Sequence, residues 1–327
     1  MAYVPCLSLE VGCETWKIGP CCARLSKICV CIQVEGALFA HAGGVVSRPP
    51  LPQGQVEIGS SCAPNLFFLP TTYFCNMSQM NKACCSIPPV KTDYQPKGKM
   101  EKCAGIDSYV VGPADSKTAL VCVYDIFGFW DTTKQCADLL SEVMNTKVVM
   151  PDFLRGHPWP IDGFPPRNDE ESKKLGEWFG TIASVPDRRK DLESVAAELK
   201  KNGAEKLGLY GFCWGGKVAS LAGKAGTPFS GVSIIHPAMI APEESKELTV
   251  PMAFFPSKDE PRDECDKYWD TLKSSHPELV EKSVYHYYGD MFHGFASARA
   301  NLKDKANYDA AVDVYQRLAN FFCNVFK

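Results

Sequence analysis

The chain predicts an α/β protein built on a doubly wound, mostly parallel sheet flanked by helices. Three observations predict it. From residue 106 onward, strand-like apolar runs alternate with helical spacing. Two of those runs, 229–235 and 250–255, are predominantly apolar, as expected of strands buried on both faces of a parallel sheet. A third run, 206–210, passes through Gly211-Phe212-Cys213-Trp214-Gly215 directly into a helical pattern.

Each element follows from its residues. Strands are expected at Ile106–Val111 and 119–124, rich in β-branched and aromatic residues and separated by Gly112-Pro113-Ala114-Asp115. Cys136, Leu139, Leu140 and Val143 give helical spacing over 131–143, and a short strand at 147–150 ends at Pro151. The Pro- and Gly-rich stretch 152–168 reads as a loop. Helices follow at 170–182 and 187–201, the second stopped by Asn202-Gly203. After strand 206–210 come a helix at 214–224 and the two buried strands. A helix at 261–274, a strand at 283–288 and an amphipathic helix at 305–325 complete a single domain.

Composition narrows the function. The 327 residues are 45% hydrophobic and 22% charged, with a net charge of −3, which gives no electrostatic reason to bind nucleic acid or an anionic membrane. No apolar run reaches the roughly 18 residues that span a bilayer. The N-terminus has no basic stretch followed by an apolar core, so reduced thiols and a cytoplasmic location are expected.

Residues 1–79 differ from the rest. They hold eight of the 16 cysteines but only eight charged residues, and show no sustained periodicity. Cys21-Cys22 and Cys29-x-Cys31 lack the paired Cys-x-x-Cys spacing of structural zinc sites, so neither metal nor cofactor is expected. This segment is predicted to be poorly ordered or a gene-model artefact, and the functional domain to begin at Met80.

Cys213 carries the functional reading. With 16 cysteines in the chain, one more means little, but this one sits in a nucleophile elbow with sulfur in place of the usual hydroxyl. Gly211 and Gly215 supply the small neighbours that the sharp turn demands, and the new helix aims its positive end at the sulfur, favouring thiolate. Polar residues also stand at the carboxyl ends of later strands, where ligands of an open α/β sheet bind. Strand 250–255 runs into Pro256-Ser257-Lys258-Asp259, and strand 283–288 runs into Gly289-Asp290-Met291-Phe292-His293.

Nucleophile, acid and histidine thus come in the chain order of the α/β-hydrolases. His293 is the candidate base. Asp259 is the candidate orienting acid, with Asp290 and Glu260 as rivals. Of the other histidines only His236, ending its strand before Pro237, shares this sheet edge; it is expected to line the pocket or cap a loop. The backbone N–H groups of Ile126 and Trp214 are the expected oxyanion hole. Asp125, acidic at the same edge, either partners the thiol, caps the helix starting near Asp131, or pairs with an arginine.

These residues resemble the dienelactone hydrolase family, particularly its eukaryotic and fungal members, over about residues 80–327. The resemblance rests on Ala83-Cys84-Cys85-Ser86-Ile87-Pro88-Pro89, Tyr124-Asp125-Ile126-Phe127-Gly128, Val149-Met150-Pro151-Asp152-Phe153, Gly211-Phe212-Cys213-Trp214-Gly215-Gly216 and His293-Gly294-Phe295. It implies a carboxymethylenebutenolidase-type activity on a small-molecule lactone or ester, with Cys213, Asp259 and His293 as the triad. In the bacterial members a glutamate at the place of Asp125 interacts with the resting thiol, and arginines hold the substrate carboxylate. The resemblance therefore makes Asp125 a thiol partner, and Arg155 and Arg299 substrate-binding candidates.

Sulfur also constrains the substrate. A tetrahedral intermediate can expel either the thiolate, whose parent thiol has a pKa of about 8.5, or the substrate oxygen. An alkoxide resembles hydroxide, whose parent water sits near about 15.7, so a plain alkyl ester returns the sulfur first. An enol or aryl oxygen narrows that gap, which points to activated lactones and esters. Thioesters, aryl esters and secondary-metabolite lactones are the alternative substrates, and a non-catalytic binding protein on the same fold is the alternative function.

Overall fold

The computed structural model describes residues 91 and 93–327. The expectations for residues 1–79, and the motif at 83–89, lie outside the described residues. Eight strands form one sheet in the order β1-β2-β4-β3-β5-β6-β7-β8. They are β1 (Lys99–Cys103), β2 (Ile106–Val111), β3 (Thr118–Val123), β4 (Lys147–Pro151), β5 (Lys206–Phe212), β6 (Gly231–Ile235), β7 (Met252–Phe255) and β8 (Val284–Tyr285). The β1–β2 and β2–β4 pairs are antiparallel and every other pair is parallel. This is the mostly parallel, helix-flanked sheet of an α/β-hydrolase fold.

The central strands owe their place to sequence that is apolar apart from Ser233. All five residues of β6 and all four of β7 are buried. Only a sheet covered by helices on both faces can bury consecutive side chains that point in opposite directions. The helices are α1 (Asp131–Met144), α2 (Asp169–Gly180), α3 (Val185–Lys201), α4 (Trp214–Ala222), α5 (Arg262–Ser275), the short α6 (Pro277–Val280) and α7 (Lys305–Val325). Helix α7 turns Ala311, Val314, Leu318 and Phe322 into the core, the three-and-four spacing of an amphipathic helix. Its N-cap Asp304 accepts the N–H of Asn307 at 2.8 Å, and Asn168 caps α2 through the N–H of Glu171 at 2.9 Å.

One face of α1 holds the chain that precedes the sheet. Gln135 exchanges two hydrogen bonds with the backbone of Lys91, while Asp138 accepts the Tyr94 hydroxyl and the Lys97 N–H, both at 2.7 Å. Asp138 also accepts the Tyr109 hydroxyl of β2 at 2.6 Å. This carboxylate is 1% exposed, and three donors offset the cost of taking it out of water.

Two strands differ from expectation. Strand β1, Lys-Met-Glu-Lys-Cys, has no apolar alternation because it is an edge strand with four of its five residues exposed. The last strand contracts from 283–288 to Val284–Tyr285, beyond which a lone parallel bridge joins Ser257 to Tyr288. Among the described residues no helix is long and apolar enough to cross a membrane.

Candidate active site

Strand β5 ends in a turn that only small residues permit. A Cβ on Gly211 would run into the Gly215 carbonyl, and one on Gly215 into the Val123 carbonyl of β3. Between them Cys213 adopts φ 55° and ψ −118°, a left-handed conformation that a side chain ordinarily avoids. Hydrogen bonds hold it there: its N–H donates to Ile235 at 3.1 Å, and its carbonyl accepts from Gly216 and Ala238 at 3.0 Å each. The sulfur-bearing residue is 9% exposed and begins α4, whose first N–H groups face it.

His293 lies in the loop after β8. Its Nδ1 is 2.6 Å from Glu260 Oε1, which leaves Nε2 for the Cys213 side. Burial alone would press its pKa down. Interaction with the Cys213 sulfur, then with Glu260, outweighs burial and carries the value to about 10, so the ring is held as imidazolium.

The carboxylate on the ring is therefore Glu260, and the expectation for Asp259 is corrected. Asp259 is exposed and accepts the backbone N–H of His293 at 2.8 Å. The reason is the turn after β7. Ser257 and Glu260 point inward while Lys258 and Asp259 point to solvent. Glu260 reaches back to the Ser257 N–H, and its other oxygen accepts the Ser257 hydroxyl at 3.2 Å. Ser257 and Glu260 close this turn on each other ahead of α5, whose own N-cap is Pro261.

Asp125 is likewise engaged elsewhere than as a thiol partner. One oxygen accepts the Phe127 N–H at 2.9 Å; the other accepts the Ser297 hydroxyl at 2.6 Å and the Ala298 N–H at 3.1 Å. Burial holds its carboxyl above the usual range, and these three hydrogen bonds and the charge of His293 offset it in part. The residue braces the end of β3 against the loop that carries His293. Between them, Ile126 and Trp214 present backbone N–H groups that have no acceptor among the described residues.

The remaining candidates separate. Arg155 donates to Asp191 at 2.8 Å and to the Asp152 carbonyl at 3.1 Å, so its guanidinium is occupied on the β1–β2 side rather than free for substrate. Arg299 is exposed, follows His293 by six residues, and makes no ion pair among the described residues. His236 is fully buried, with its ring centroid 5.1 Å from that of His293 in an edge-to-face contact. Burial, the His293 charge and Arg299 hold its pKa well below the ordinary histidine value, so it is neutral. Neither of its nitrogens has a hydrogen-bond partner among the described residues.

Comparison with known proteins agrees with this frame. An uncharacterized AIM2 family protein of Schizosaccharomyces pombe is 34% identical over 234 residues, covering 70% of this chain and 92% of its own. A carboxymethylenebutenolidase homolog of Xenopus tropicalis is 35% identical over 146 residues, covering 42% of this chain and 55% of its own. A crystal structure of a putative dienelactone hydrolase from Klebsiella pneumoniae superposes with a TM-score of 0.51 at 16% identity, covering 67% of this chain and 92% of that one. The profile described as "Dienelactone hydrolase family" matches residues 106–326. The chain belongs to the dienelactone hydrolase family.

Proposed function

We propose that the protein hydrolyses an activated lactone or ester through a Cys213 thioester, with His293 as acid and base and Glu260 orienting the imidazole. The observation that carries this reading is the His293 ring, braced by Glu260 at 2.6 Å on one side and interacting with the Cys213 sulfur on the other. A strained cysteine at a strand-to-helix turn supports the same assignment.

The steps use only these residues. The Cys213 thiolate forms a C–S bond to the carbonyl carbon, and the carbonyl π pair moves to oxygen, facing the Ile126 and Trp214 N–H groups. Collapse breaks the C–O bond, and the leaving oxygen takes the His293 proton. The now neutral ring accepts a proton from water as the water oxygen attacks the thioester. The C–S bond then breaks, releasing the acid and restoring thiolate and imidazolium. A delocalised enol or aryl oxygen leaves without strong proton assistance, which favours enol lactones and aryl esters over alkyl esters. The exposed Arg299 is the cation available for a substrate carboxylate.

One iodoacetamide per chain is expected to label Cys213 and abolish turnover of an enol lactone or aryl ester in parallel. Full turnover in a Cys213→Ala variant would sink the reading. An unreactive Cys213 would leave the non-catalytic binding protein in its place.

A further inference from the structure

Four of the large hydrophobic side chains that remain exposed lie in loops that adjoin segments of the candidate site. Among the described residues there are five: Met100, Trp130, Ile161, Phe164 and Met239. Met100 lies on edge strand β1; the other four lie in three loops, one bonded to the Cys213 backbone and two bonded to each other at Ile126. Trp130 stands at the end of loop 126–130, whose Ile126 presents an oxyanion N–H, and its indole donates to the Phe127 carbonyl at 3.1 Å. Ile161 and Phe164 belong to loop 157–164, tied to that first loop by the bond from Trp159 N–H to the Ile126 carbonyl at 2.8 Å. The Phe164 ring meets Phe127 edge to face, with centroids 6.2 Å apart. Met239 extends from the loop whose Ala238 N–H donates to the Cys213 carbonyl at 3.0 Å.

Surface loops are ordinarily polar, and exposed apolar side chains are ordinarily scattered. Here 126–130, 157–164 and 237–241 contain a single acidic or basic side chain between them, Asp162, apart from His157. The loops are also fixed in place. Gly128 at φ +79° lies so close to Pro158 that an added Cβ would come within 3.0 Å of its ring, and Lys217 holds the third loop by donating to the Met239 carbonyl at 2.8 Å. A fixed apolar rim beside a reaction centre is suited to a planar apolar group.

We infer that Trp130, Ile161, Phe164 and Met239 form a specificity rim that selects esters or lactones bearing a planar group of two or more fused rings. The inference rests on the ester-hydrolase reading above and deepens it.

The full-length protein tests it with two matched pairs: 2-naphthyl acetate against phenyl acetate, and phenyl 2-naphthoate against phenyl benzoate. Within each pair the second ring is added with little change in leaving-group acidity. In at least one pair KM should be about tenfold lower for the two-ring member, the worth of a second ring's apolar area. The double variant Trp130→Ala/Phe164→Ala should bring that ratio close to one. Met100→Ala, on the edge strand, should keep the wild-type ratio. If the double variant fails to fold by circular dichroism, Met239→Ala in the third loop should lower the same ratio.

Ratios near one in both wild-type pairs, or a ratio that survives the rim variants, would overturn the rim while leaving the ester-hydrolase reading intact. If the wild type turns over none of the four esters, that reading fails instead. Equilibrium dialysis of the same esters then tests the rim alone: about tenfold tighter binding of a two-ring member supports it, and equal binding rejects it.

Discussion

Glu260 Oε1 lies 2.6 Å from His293 Nδ1 and also accepts the Ser257 hydroxyl, so a buried carboxylate on one loop fixes the ring carried by another. Asp259, one residue earlier, contributes at the backbone of the same histidine. The two acids therefore predict different losses. Glu260→Gln should lower kcat/KM for an aryl acetate by about 10²- to 10⁴-fold, because an amide no longer balances the imidazolium. Asp259→Asn should cost about tenfold or less, since an amide oxygen still accepts the His293 N–H. Steady-state kinetics of the two variants decides which acid serves the ring.

The His293 ring titrates late. Its folded pKa is raised to about 10, above the ordinary value near 6.5 of an unfolded histidine. The stability this contributes is fully present below about pH 6.5 and is lost as pH rises through about 10. Imidazole NMR should show His293 protonated across neutral pH in the wild type and titrating lower in Glu260→Gln. Melting temperature from pH 6.5 to 10 should fall less steeply in that variant.

Asp125 predicts a loss of stability. Removing its carboxylate in Asp125→Ala leaves the Phe127 and Ala298 N–H groups and the Ser297 hydroxyl without their acceptor. We expect a loss of about 2–4 kcal/mol in urea unfolding, and about 1 kcal/mol for Ser297→Ala. Activity should fall with the placement of the His293 loop, while Cys213 alkylation persists.

His236 should behave oppositely. Its fully buried ring has two nitrogens with no partner among the described residues, so His236→Phe removes a desolvation cost and keeps the ring contacts with Phe212, His293 and Phe295. Stability should rise by about 1 kcal/mol or more, measured by the same unfolding curves.

Much of this architecture is legible in the residues themselves. Buried parallel strands such as β6 and β7 announce themselves as apolar runs, and the elbow through its glycines. What escapes is decided by single turns and by contacts distant in sequence. The choice between Asp259 and Glu260 depends on which way a four-residue turn faces. The fate of Asp125 depends on Ser297, 172 residues away. The guanidinium of Arg155 is taken up by Asp191, which lies 36 residues further along on α3. Edge strand β1 carries no pattern because four of its five residues are exposed and neither face is buried.

The clasp on helix α1 sets a practical boundary for this domain. The family profile begins at residue 106, yet Asp138 relies on Tyr94 and Lys97, and Gln135 on Lys91. A chain trimmed to the matched region would keep the Tyr109 hydroxyl but strip a sequestered anion of its two other donors, and would remove β1 from the sheet. The first residue of the profile is therefore a poor place to cut the chain, because the partners of helix α1 reach back to residue 91.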